Sequence, residues 1–248
     1  MPSFGDDLYL GPVVLPSSDA SNPSLMTQGV GPLGRVYVWD VVPLTLQAAG
    51  LATSQNPGSG ASFTLTAGTG VTLRQRADNT NEYVLDVPRC VTVTAAGANT
   101  ATYLISGYDQ YGQHMSQLIA APSTSTVATT KAFKTIVSVT NANATASTNG
   151  VTVGFNDKLG MPLRVTDIAY VQSVKWAATL AADAGTVVVA DATSPATTST
   201  TDVRGCYTPS SAANGTRRLV MTIAIPAIAC GPNATRIGAA GVNQNLVV

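Results

Sequence analysis

Residues 86–141 read DVPRCVTVTAAGANTATYLISGYDQYGQHMSQLIAAPSTSTVATTKAFKTIVSVTN. Apolar and polar residues alternate over most of this stretch. In the run at 90–95, Val91 and Val93 fall on one side of an extended chain and Thr92 and Thr94 on the other. That pattern predicts short antiparallel strands with one wet face. The runs at 102–108 and 114–121 are separated by Asp109-Gln110-Tyr111-Gly112, where Gly112 supplies the positive φ that a tight connection often needs, so a β-hairpin is expected. Almost nothing in the stretch can perform chemistry, which points to a building block rather than a catalyst.

The same texture extends in both directions. Residues 34–46, GRVYVWDVVPLTL, are dense in β-branched and aromatic residues up to Pro43, which predicts a strand with Trp39 in the core. A Pro/Gly/Ser loop follows at 54–60, then strands at 62–66, 71–75 and 82–87, with a polar turn at 77–81. Asn149-Gly150 marks a turn before the alternating VTVGF of 151–155, and 156–160, NDKLG, reads as a further turn. Beyond it, strand signals lie within 163–178, at 186–190 and at 218–225, the last entered through Asn214-Gly215. Residues 177–184 can form a helical turn and 191–202 a long loop. No segment sustains a 3.6-residue period, so helix is expected to be scarce. The predicted fold is all-β: an antiparallel β-sandwich, Ig-like or jelly-roll-like, with an extended N-terminal arm. The expected divisions are the arm at 1–32, a β-sandwich region at 33–156 and a second β region at 157–248 that can complete the same sandwich.

Pro2, Pro12, Pro16, Pro23 and Pro32 exclude helix and central strand from the arm. Its apolar residues, among them Phe4, Leu8, Tyr9 and Leu10, are too many for a linker. They are expected to lie along a surface, the protein's own or a neighbour's.

Composition narrows the function. Charged residues make up 10% of the chain, 13 basic against 13 acidic, well below the roughly 25% of ordinary soluble domains. A nucleic-acid binder needs a basic stripe, but Arg74/Arg76, Lys131/Lys134 and Arg217/Arg218 are scattered along the sequence; no nucleic-acid partner is expected. With 45% hydrophobic residues, the low charge suggests surface that becomes covered in an assembly. Cys90, Cys206 and Cys230 are odd in number and widely spaced, so buried reduced thiols are expected, and His114 is the one histidine. No metal or cofactor is expected. The opening MPSFGDDLYLGP places Asp6 and Asp7 where a secretion signal would be basic, and no apolar stretch is long enough for a bilayer helix, so neither export nor a membrane partner is expected.

Catalytic constellations are thin. His114 has Ser106, Ser116 and Asp109 near it in sequence, but no nucleophile elbow is present. Glu82 is the one glutamate, and Asp86, Asp167 or Asp183 could pair with it as glycosidase acids do, though aspartates at strand ends more often cap turns. No enzyme activity is expected. Tyr103, Tyr108 and Tyr111 cluster at the hairpin; Tyr103 is assigned to packing, Tyr108 and Tyr111 to exposed contacts.

Three segments, DVPR at 86–89, GYDQYG at 107–112 and KAFKT at 131–135, resemble a module of virion structural proteins from tailed bacteriophages, over about a quarter of the chain. The resemblance implies a virion location with assembly in the bacterial cytoplasm. Combined with the low charge and the arm, it leads to a cement or decoration protein on the capsid's outer surface, a homo-oligomer with the major capsid protein as partner. The alternatives are a head fibre, tail-tube or adaptor subunit and, more distantly, a carbohydrate-binding module. The candidate contact residues are Phe4, Leu8, Tyr9, Leu10, Tyr108 and Tyr111.

Overall fold

The computed structural model describes residues 35–193 and 196–225. The predicted arm, with Phe4, Leu8, Tyr9 and Leu10, and also Cys230, lie outside the described residues. In chain order the strands are β1 (Arg35–Val41), β2 (Gln47–Gln55), β3 (Val71–Gln75), β4 (Asn81–Ala95), β5 (Tyr103–Tyr108), β6 (His114–Ile119), β7 (Thr126–Asn141), β8 (Val151–Gly160), β9 (Val171–Trp176), β10 (Ala181–Ala182), β11 (Thr186–Val188), β12 (Cys206–Thr208) and β13 (Leu219–Ile225). One 3-10 turn, Ile168–Tyr170, is the only helical element among the described residues.

Every strand pairing is antiparallel. A curled nine-stranded sheet runs β11, β12, β8, β4, β7, β5, β6, with β2 also on β8 and β3 also on β4. A second sheet runs β1, β13, β9, β10. The fold is therefore all-β and sandwich-like, as the alternation predicts. Two apolar clusters hold it. One lies inside the curl, where Leu85, Val91, Val93, Tyr103, Ile105, Phe133, Val153 and Phe155 are buried. The other joins the sheets: Trp39, Trp176, Leu219, Met221 and Ile223 from the smaller sheet meet Val87, Leu159 and Tyr207 from the larger. Trp39 is core, as expected. Burying side chains of this size stabilises by about 1.5–3 kcal/mol each, enough in sum to offset the ordering of many short strands.

The hairpin forms as read. Tyr108 pairs with His114 at its end, and Gly112 has φ +77°. Asn149 and Gly150, both at positive φ, deliver the chain into β8.

Three local readings are corrected. Residues 82–87 and 90–95 are not separate strands but parts of β4, which continues through Pro88; the ladder to β7 is interrupted between Val84 and Arg89, so the missing proline N–H falls where no ladder bond is required. Residues 62–66 make a single bridge, Ser62 to Thr140; the Phe63 N–H donates to Val139 O and the Thr66 N–H to Leu51 O, two partners that no one ladder contains. Residues 156–160 belong to β8 rather than to a turn: Asn156 Oδ1 does accept from Lys158 N as in a turn, but Asp157 Oδ1 and the Asn156 carbonyl accept from Arg89 and the strand continues.

Strands from all parts of the chain mix. β1 sits beside β13 and β9, whereas β12 extends the larger sheet from β8, and β8 runs unbroken across residue 156.

Candidate docking site

The site is built from two charged junctions that the strand order brings together. Arg89 lies within β4, fully buried, in a strand whose neighbours are apolar. All five of its N–H groups are bonded: Nε to Asp86 Oδ1 (2.9 Å), Nη2 to Asp86 Oδ2 (2.7 Å) and Leu44 O (2.5 Å), Nη1 to Asp157 Oδ1 (2.9 Å) and Asn156 O (3.2 Å). The carboxylates reach further, Asp86 Oδ2 accepting from Leu44 N and Asp157 Oδ2 from Ala213 N. One guanidinium thus fastens β4, β8 and two loops. Buried pairs with full hydrogen bonding hold register; unpaired, they would be severely costly.

The second junction sits at the hairpin tip. Asp109 Oδ1 accepts the N–H groups of Tyr111 and Gln113 (2.8 and 2.9 Å), which closes the turn, while Oδ2 accepts from Arg204 Nη1 (2.7 Å) across 95 residues of sequence. The Arg204 guanidinium also lies over the Tyr111 ring, 4.7 Å from its centroid. Its Nε and Nη2 are buried without hydrogen-bond partners, so the ring face is their compensation.

A cleft of about 410 Å³ is lined by residues from both junctions, Asp86 from the first and Tyr111 from the second. Residues 37–41 of β1 form one wall; residues 86–88 of β4 and Lys134 of β7 form the other; Gln110, Tyr111 and Pro162 close the end. Five successive residues of β1 line it. Side chains alternate across a strand, so a groove on one face would be lined by every second residue; consecutive lining places it along the strand's edge. Lys134 Nζ donates to Leu85 O (2.6 Å) and Asp86 O (2.9 Å), and burial lowers its pKa, Asp86 only partly opposing.

Of the tyrosines assigned to contacts, Tyr111 is 47% exposed, yet tethered, its OH donating to Pro162 O at 2.7 Å. Tyr108 is half-buried, with the Arg76 guanidinium 4.6 Å above its ring and His114 edge-on at 5.4 Å. Tyr103 is fully buried, bonded to Asn99 Nδ2 and Ser147 Oγ. Of these three tyrosines, Tyr111 alone lines the cleft.

The acids weighed for catalysis hold other partners. Glu82, fully buried, pairs with Arg74 and Arg76; Asp86 pairs with Arg89; Asp183 accepts from Tyr207 and Ser210; Asp167 caps the 3-10 turn through Ala169 N. Ser116 is buried opposite Ser106 in the hairpin, while His114 is exposed at its end. No group of three or more His, Cys, Asp or Glu capable of holding a metal occurs among the described residues. Cys90 and Cys206 are free and buried, packed together with Ala132, and the neighbouring thiol, with burial, pushes the Cys206 pKa up.

Sequence reading missed Arg89 and Arg204 as organising residues. The signal for Arg89 was present, an arginine inside an alternating strand three residues after an aspartate. Arg204 has no local signal, since its partner lies 95 residues away. Compared with protein-family models, with curated proteins and with solved structures, the chain matches none.

Proposed function

We propose that the protein is a structural component of a tailed-bacteriophage virion, a cement or decoration protein that binds the capsid's outer surface as a homo-oligomer and stabilises it without turning over a substrate. The observation that carries this reading is how the charge is used. The buried ionic groups, Glu82, Arg89, Asp109 and Arg204, hold strands and turns to one another, whereas the surface around β1 presents apolar side chains: Val36, Val38, Val42, Leu44 and Leu46 are exposed. Surface of that kind associates by burial rather than by charge. The resemblance at 86–89, 107–112 and 131–135 supplies the virion context.

The mechanism is multivalent clamping. Each copy covers weakly charged surface on the major capsid protein, the arm extends the contact to a neighbour, and repetition over the lattice raises avidity above that of one contact. A binder selective for the expanded shell stabilises it by linkage. Quantifying the protein on gels of purified particles tests the reading: copy numbers comparable to the major capsid protein are expected. A few copies per particle would instead favour a fibre, tail-tube or adaptor subunit.

A further inference from the structure

β1 is an edge strand, paired with β13 on one side and with no strand on the other among the described residues. Of the devices that protect such edges it lacks proline and lysine within Arg35–Val41, and Asp40 is its one charge with an exposed side chain among the described residues. Val36 and Val38 on its outer face are 64% and 54% exposed, and the cleft runs along the open edge.

The cleft also has a charge preference. Asp40 is paired with Arg218 and Asp86 with Arg89, but Lys134 bonds only main-chain carbonyl oxygens. An occupant should therefore be an extended apolar segment that carries an acid. Apart from residues 194–195, the parts of the chain outside the described structure are 1–34 and 226–248, and both depart from the same end of the smaller sheet, where Arg35 pairs with Ile225. Residues 226–248 contain no Asp or Glu. Within 1–34, Asp19 lies among polar residues, whereas Asp6 and Asp7 immediately precede Leu8-Tyr9-Leu10.

We propose that the open edge of β1 and the adjoining cleft are the seat of residues 6–10, DDLYL, of a second copy of this chain. The segment adds as a strand, with alternate apolar side chains entering the cleft and an aspartate facing Lys134. A neighbour can be the donor because of reach. Residues 11–34 separate the segment from β1; if extended at about 3.1 Å per residue, 24 residues can span about 75 Å, enough to cross the roughly 40 Å breadth of a body of this size and reach a neighbouring copy. The proposal rests on the oligomeric arm of the function reading, but not on the capsid.

Hydrogen exchange on the isolated full-length protein tests it without particles. Alternate amides of β1 point away from β13. In a concentrated oligomeric sample they are expected to exchange at least about 100-fold more slowly than open-edge amides do. That protection should vanish on dilution to monomer, and in Leu8→Asp/Leu10→Asp, whose melting transition as a monomer should match the unaltered protein's. Fast exchange in the concentrated sample, or a chain monomeric at every concentration, would overturn the proposal. So would protection that survives dilution, which would place the chain's own segment there, or protection that survives the double substitution, which would mean a different occupant. Particle copy number decides the function reading separately.

Discussion

Replacing Arg89 by Met removes five hydrogen bonds at once and leaves the Asp86 and Asp157 carboxylates, both largely buried, without their countercharge. We expect a loss of about 3–5 kcal/mol in unfolding free energy, the usual cost of breaking one side of a buried ion pair, measured as a fall in the urea midpoint. Adding Asp86→Asn and Asp157→Asn should recover part of it. Lys131 gives a pH signature of opposite sense. Burial lowers its pKa from 10.5 to about 8, with Asp202 and Asp191 only partly opposing, while Nζ donates to Ser116 O at 3.0 Å and to Thr197 O. Between those two pKa values the unfolded chain holds a proton that the folded chain has released, so stability from this group rises as pH increases through the window. Subtracting the stability profile of Lys131→Met from that of the unaltered protein should leave a positive slope between pH 8 and 10.5; a flat difference would show that Lys131 titrates normally. Neither residue's role is local in sequence. The Asp86–Arg89 spacing was legible, but Asp157, Leu44 and Thr197 meet these side chains only through the sheet.

Among elements, the β5–β6 hairpin was the most legible, because the signals for it are local: alternation, the Asp109 turn and a glycine. Gly112 sits at φ +77° with open space where a Cβ would go, so Gly112→Val should cost only the backbone penalty, about 1 kcal/mol, read as a small fall in melting temperature. Gly107 is different. A Cβ there would collide with the backbone at Thr135 O, and Gly107→Ala should force β5 from β7, with lost cooperativity as the observable. β4 was less legible, because proline normally ends a strand and the interruption that admits Pro88 is set by β7 and β8. The turn expected at 156–160 failed for a related reason: Asn156 keeps its local bond to Lys158 N, but Arg89 claims Asp157 and the ladder partners hold the chain extended.

At the scale of the whole molecule, the all-β class and the scarcity of helix were written in the periodicity, while the sheet order, with β1 at an edge beside β13, was not. Nothing in the composition distinguishes an edge strand from a central one. On the proposed function, the protein would hold its lattice by neutral, largely apolar contact, a reading supported by the balanced 13 against 13 charges and by the burial of Glu82, Arg89, Asp109 and Arg204 inside the fold. The most direct measurement is retention on sedimented particles across a salt series and a urea series. Because the screening length falls to about 3 Å at 1 M salt while the hydrophobic term is scarcely weakened, the protein should stay bound through 1 M salt and leave in urea. Release by moderate salt alone would contradict the account and assign the contact to charge.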